Sequence, residues 1–170
     1  MKKQSMKRPP SANGFRQRGA SIYDYLLWIS LAAITLVVLL GIFQRANNWR
    51  KQVAITQAGG EIRVAAGTWA GQRNFTGVSM PELCKVTRND LSENICGPGR
   101  DGKNMNPYGG DYTITVGSNV SQVDVGYTGI DPNFIDSVSD KLAGSSVDRC
   151  QAATGCSTIT AAGSTITVTM

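Results

Sequence analysis

The chain has no histidine anywhere in its 170 residues. That removes the usual base for a serine or cysteine nucleophile, and it removes the commonest zinc ligand. The four cysteines, at 84, 96, 150 and 156, lack the paired C-x2-C spacing of a metal knuckle. Two stretches also lack charge of one kind. No acid stands before Ala20, where Lys2, Lys3, Lys7, Arg8, Arg16 and Arg18 crowd together. No charge at all interrupts residues 25–43.

The net charge of +5 does not point to nucleic acid. Six of the seventeen basic residues precede Ala20, leaving eleven basic against twelve acidic residues from there on. Later basic residues such as Arg63, Arg73, Lys85, Arg88 and Lys103 are scattered among acids and form no stripe, so no nucleic-acid partner is expected. Asp131 and Asp136 are too ordinary for a carboxylate pair, since Asp131 reads as a helix cap and Asp136 as a solvated face. Gly97-Pro98-Gly99 and Gly109-Gly110 lack the lysine and hydroxyl context of a phosphate loop and read as turns. No enzyme, cofactor or metal site is indicated.

What is present begins with the uncharged run 25–43. As a helix it spans about 28 Å, close to the hydrocarbon thickness of a bilayer. Asp24 stands alone at its mouth. The excess of basic residues before the run puts the N-terminus in the cytoplasm and the cysteines outside. There, disulfides are the natural reading. Three connectivities are open, with Cys84–Cys96 and Cys150–Cys156 preferred. Trp28 and Trp49 flank the run as interfacial aromatics do, and packing of Trp28 in a filament core is an equal alternative.

After Arg45, the residues Trp49, Val53, Ile62 and Ala66 recur at helical spacing, predicting an amphipathic continuation to about Ala66, weakened by Gly59-Gly60. Residues 67–77 read as a loop. Ser79-Met80-Pro81-Glu82 reads as a capping box opening a short helix through Leu83 and Val86 to about Arg88. Residues 89–110, rich in Gly, Asn and Pro, predict a long surface loop pinned by Cys96. Segment 145–156 reads as a second exposed surface. Alternation at Tyr112, Ile114 and Val116, then at Val123 and Val125, predicts a hairpin around Gly117-Ser118-Asn119. Asp131-Pro132 opens a helix carrying Phe134, Ile135, Val138 and Leu142, stopped by Gly144. A second hairpin follows, from 157 to 169 around Gly163. The expected fold class is α+β: one long N-terminal helix, apolar then amphipathic, packed on a small antiparallel sheet.

The stretch Gly19-Ala20-Ser21-Ile22-Tyr23-Asp24 before an apolar helix resembles the cleavage region of type IV prepilins. In that family a membrane peptidase cuts after glycine, the new N-terminal residue is methylated, and an acid occupies the fifth mature position. The resemblance implies cleavage between Gly19 and Ala20, N-methylation at Ala20, and Asp24 as the fifth residue. Asp stands where the family has Glu, and Ala where it has Phe or another apolar residue. A competing cut after Gly14 would leave Arg16 and Arg18 against the membrane helix and Gly19 at the fifth position, and is rejected. The nineteen-residue leader is similar to those of the type IVb class, which includes toxin-coregulated, bundle-forming and conjugative thin-pilus pilins.

The expected organisation is pilin-like. Residues 1–19 form a cleaved leader, 20–46 a transmembrane and filament-core helix, and 47–170 a disulfide-stapled head. A carboxylate in hydrocarbon costs several kcal/mol unless paired. Asp24 is therefore expected to pair with the Ala20 amine of an adjacent subunit and set the register of packing. The implied partners are further copies of the chain, a prepilin peptidase, and an inner-membrane assembly platform with its ATPase. The expected setting is a Gram-negative inner membrane and then an extracellular pilus. The alternatives are a pseudopilin or minor pilin of a secretion system, or a single-pass membrane-anchored periplasmic binding domain.

Overall fold

The computed structural model describes residues 21–170. The chain divides into two units, one ending at Phe43 and the other running from Gln44 to Met170. Helix α1, Ile22–Ala70, contributes to both.

In the first unit α1 is apolar all round. Leu, Ile, Val and Ala dominate, and no position from 25 to 43 carries charge. In the second unit the same helix acquires a stripe. Ile55, Ala58, Gly59, Ile62, Ala65, Ala66 and Ala70 are buried, recurring every three or four residues. Most are small and leave room for large side chains such as Tyr127. Trp49, expected in this stripe, is instead 64% exposed.

The glycine pair does not break the helix. Gly59 is a notch: a Cβ there would come within 2.2 Å of the Tyr127 hydroxyl oxygen, whereas Gly60 has open space around it. The helix also runs past Ala66 into the segment expected to be a loop. Ala70 is buried and the Trp69 ring is covered by the Arg73 guanidinium at 5.4 Å, so packing sustains the final turn.

The sheet has four antiparallel strands in the order β1-β2-β4-β3. They are β1 Tyr112–Val116, β2 Val123–Tyr127, β3 Ile159–Ala162 and β4 Thr165–Thr169. The two hairpins thus join through β2 and β4, which pair Val125 with Val168 and Tyr127 with Ile166. Alternation decides the faces. Tyr112, Ile114, Val123, Val125, Tyr127, Ile166 and Val168 enter the core, while Thr113, Thr115, Asp124 and Thr169 face away. On the outer face Thr169 Oγ1 donates to Asp124 Oδ1 at 2.6 Å.

Helix α4, Ile135–Ala143, packs on β3 and β4 and buries Val138 and Leu142. A 3-10 turn, Pro132–Phe134, precedes it, and Asp131 Oδ1 accepts from the Asn133 N–H at 2.8 Å. Buried residues of α1, α4 and the sheet share one hydrophobic core.

Two local expectations are corrected. The helix after Ser79 is a single turn, α2 Met80–Leu83, with no side-chain cap. Pro81 removes one of the two N–H groups that Ser79 could accept from, and Glu82 turns to Lys85 at 2.7 Å instead. Val86 is left 71% exposed. The segment 89–110 is not a plain surface loop. It holds a one-turn helix, α3 Glu93–Cys96, and buries Leu91 and Ile95. Asn106, 3% exposed, donates to Thr128 O at 2.7 Å and accepts from the backbone N–H of Tyr108 at 2.9 Å and of Gly110 at 3.2 Å. One carboxamide thereby does the pairing that a strand would supply.

Candidate functional site

Asp24 lies in the first turn of α1 and is exposed. Its Oδ2 accepts from the backbone N–H of Ser21 at 3.2 Å, and Ser21 Oγ accepts from the N–H of Tyr23 at 3.3 Å. This is a reciprocal capping box, with a carboxylate near the positive end of the helix dipole. The pattern S-x-x-D was legible in the sequence, but its capping role was not read there. Gly19 and Ala20, the expected cleavage and methylation residues, lie outside the described residues, as does the expected leader 1–19. The Ala20 partner of Asp24 falls with them.

From Asp24 onward the first unit is an apolar surface without cover. Its large hydrophobic residues, from Ile22 to Phe43, are between 50% and 73% exposed. Its two aliphatic hydroxyls within 25–43 bond inside the helix: Ser30 donates to Leu27 O at 2.8 Å and Thr35 to Ala32 O at 2.9 Å. Among the described residues α1 is the one helix long and apolar enough to cross a membrane.

No family model, curated protein or solved structure matches this chain.

The head carries the cysteines. The structure joins Cys84 to Cys96, with Cα atoms 5.4 Å apart, and Cys150 to Cys156, with Cα atoms 6.0 Å apart. The first ties α2 to α3, and both its sulfurs are buried in the core. The second closes a small ring after α4, in a segment that is mostly exposed, as expected, although Ser146 within it is fully buried.

A groove of about 340 Å³ lies beside α1 in the second unit, and sequence reasoning missed it. Ala54, Ala58, Ile95, Met105 and Tyr112 form much of its wall. Glu61 is its charged residue, and Ser92 Oγ donates to Glu61 Oε2 at 2.9 Å. Burial, and after it the Glu61 charge, pushes the Tyr112 hydroxyl up to about 12. Burial also raises Tyr127, whose hydroxyl has no partner. Tyr112 and Tyr127 meet edge to face at 6.0 Å. Among the described residues no group of three or more acidic or cysteine side chains is placed to hold a metal ion.

Proposed function

We propose that this protein is a structural subunit of a type IVb-like pilus, made as a prepilin and polymerised into an extracellular filament. The observation that carries the reading is the contrast along α1: an uncovered, uncharged helix of membrane length, opened by a lone carboxylate, ahead of a head with its own core. Such a helix has two ways to leave water. It enters a bilayer, or it packs against its own kind. A pilin does the first and then the second.

Asp24 is the acid of that transition. Inside the subunit its partner is the Ser21 backbone N–H at its own helix end. Cleavage after Gly19 would create an ammonium on Ala20, and pairing it with Asp24 of a neighbour would make mismatched packing bury an unpaired charge. The partners of this reading are other copies, the prepilin peptidase, and an inner-membrane platform with its ATPase. The precursor resides in the inner membrane of a Gram-negative cell, head outward, where an oxidising compartment suits the two disulfides.

The test is the intact mass of the protein recovered from the cell envelope. A chain beginning at methylated Ala20 is expected. A stable precursor that retains Met1, in cells that contain the peptidase, would overturn the reading in favour of a membrane-anchored head. Filament morphology after gene deletion separates a pilus subunit from a pseudopilin or minor pilin.

A further inference from the structure

The two disulfides of the head differ in what surrounds them. Cys84 and Cys96 are fully buried in the shared core. Cys150 is half-buried and lies in a segment where residues 147–149, 151, 152, 154 and 155 are exposed. Its partner Cys156 is covered, and Thr158 Oγ1 stands 3.2 Å from the Cys156 sulfur. A disulfide sulfur carries no hydrogen, so the hydroxyl is the donor. Ser146 Oγ is 3.8 Å from the same sulfur, but its proton goes to Ala143 O at 2.8 Å. The two ends of this bond are therefore unequal: one is reachable, and the other is buried against a hydrogen-bond donor. Other ties remain when the ring opens. The Ala153 N–H donates to Asp140 Oδ1 at 2.8 Å, Ser157 Oγ to Asp148 Oδ2 at 3.2 Å, and the Val147 N–H to Thr169 O at 2.9 Å. The bond joins residues six apart, against twelve for Cys84–Cys96, and a shorter loop restricts the unfolded chain less.

We propose that Cys150–Cys156 is a thiol-exchange site, at which an external thiolate attacks Cys150 and expels Cys156. The electron pair of the attacking sulfur forms the new bond to Cys150 Sγ. The Cys150–Cys156 bond breaks, and its pair leaves on Cys156 Sγ as a thiolate. The Thr158 hydroxyl then donates to a full negative charge instead of a neutral sulfur, which favours Cys156 as the leaving group. The external thiol is oxidised into a mixed disulfide while Cys156 is reduced. A second external thiolate attacks the external sulfur of that mixed disulfide. Cys150 departs as a thiolate, and the two external sulfurs are left joined. The co-reactant is a thiol, either a small monothiol or the paired cysteines of a thiol–disulfide oxidoreductase. The site stands on the folded head alone and does not depend on the pilus reading.

The test exposes the full chain in detergent to reduced glutathione, quenches with acid, blocks freed thiols with N-ethylmaleimide and maps the peptides by mass spectrometry. Glutathione is expected on Cys150 and maleimide on Cys156, with neither on Cys84 or Cys96. Thr158→Val is expected to slow the reaction about fivefold. Thr160→Val, at an exposed strand position, is expected to leave the rate unchanged. The opened head is expected to keep its cooperative thermal unfolding. Loss of that cooperativity on opening would make the bond a structural staple and overturn the proposal. Glutathione on Cys156, equal reaction at Cys84–Cys96, or a Thr158→Val rate equal to that of the wild type would also overturn it. A Cys-X-X-Cys oxidoreductase run in parallel separates the sources of thiol. Faster reaction with it than with glutathione assigns the protein dithiol, and slower reaction assigns the small thiol.

Discussion

Helix α1 is two helices by every measure except its hydrogen bonds. Residues 22–43 expose nearly everything they have, in Leu, Ile and Val side chains. Residues 44–70 bury a stripe made largely of Ala and Gly, with Ile55 and Ile62 as its two large members. Hydrophobicity does not explain the difference, because the more apolar part is the uncovered one. Shape does. Small residues on the second part leave room for large side chains from the sheet, and Gly59 admits the Tyr127 hydroxyl against the backbone. The first part has no such notch, since Gly41 has nothing near it. An apolar helix so left needs a solvent or a partner outside its own chain.

The sharpest way to break this comparison is to change the single charge that opens the uncovered part. Asp24→Ala is expected to abolish filaments, seen by electron microscopy, while membrane insertion, read by fractionation, persists. Normal filaments from this variant would remove the register role of Asp24. Next in size is a matched pair. Ile62→Ala, at a fully buried site, should destabilise the head by about 2–5 kcal/mol. Ile34→Ala, at a 62% exposed site, should leave head stability unchanged. Urea unfolding of the full chain in detergent, followed by near-ultraviolet dichroism, checks both. Equal effects would mean that the two parts of α1 are not energetically separate.

The α+β plan was legible because its signals are local. Alternation at Tyr112, Ile114 and Val116 marks β1, and the Asp131-Pro132 start with Val138 and Leu142 marks α4. Other features depend on residues distant in sequence. Gly59 reads as a helix breaker until Tyr127 is seen against it. Asn106 reads as loop composition until its bonds to Thr128 O and the N–H groups of Tyr108 and Gly110 appear. The two S-x-x-acid patterns make the same point. At Ser21 the box forms, because Tyr23 offers its N–H and Asp24 has no competing cation among the described residues. At Ser79 it does not, because Pro81 has no N–H and Lys85 claims Glu82. The motif is legible in both places, but the competition that decides it depends on neighbouring side chains outside the motif. At the candidate site the lone charge of Asp24 stood out in the sequence, whereas the groove beside Glu61 requires loops brought together by folding.

A smaller effect sharpens the role of the notch. Gly59→Ala should cost about 1–3 kcal/mol, since its Cβ has no room beside the Tyr127 hydroxyl. Gly60→Ala, in open space on the same helix, should stabilise by about 0.5–1 kcal/mol. Tyr127→Phe removes a buried hydroxyl that has no partner, so it should be neutral or stabilising and should relieve much of the Gly59→Ala penalty. A double-mutant cycle in urea reads this coupling directly. Additive effects would show that the notch is not set by the Tyr127 oxygen.

The least of the expected effects lies outside the physiological range and concerns the covered part alone. Burial raises Tyr112 to about 12 and raises Tyr127 in the same direction, against an ordinary value of 10.0. Well below pH 10 both rings are neutral in the folded head and in the unfolded chain, so stability there is indifferent to them. As pH climbs from 10 toward 12, the unfolded chain releases these protons while the folded head retains them. Unfolding is then favoured, and head stability falls through that window. Tyr112→Phe should flatten the fall, and absorbance near 295 nm should report tyrosinate appearing together with loss of the near-ultraviolet signal. If tyrosinate forms fully by pH 10 with the head still folded, Tyr112 and Tyr127 are open to water and the core packing against Gly59 is looser than described.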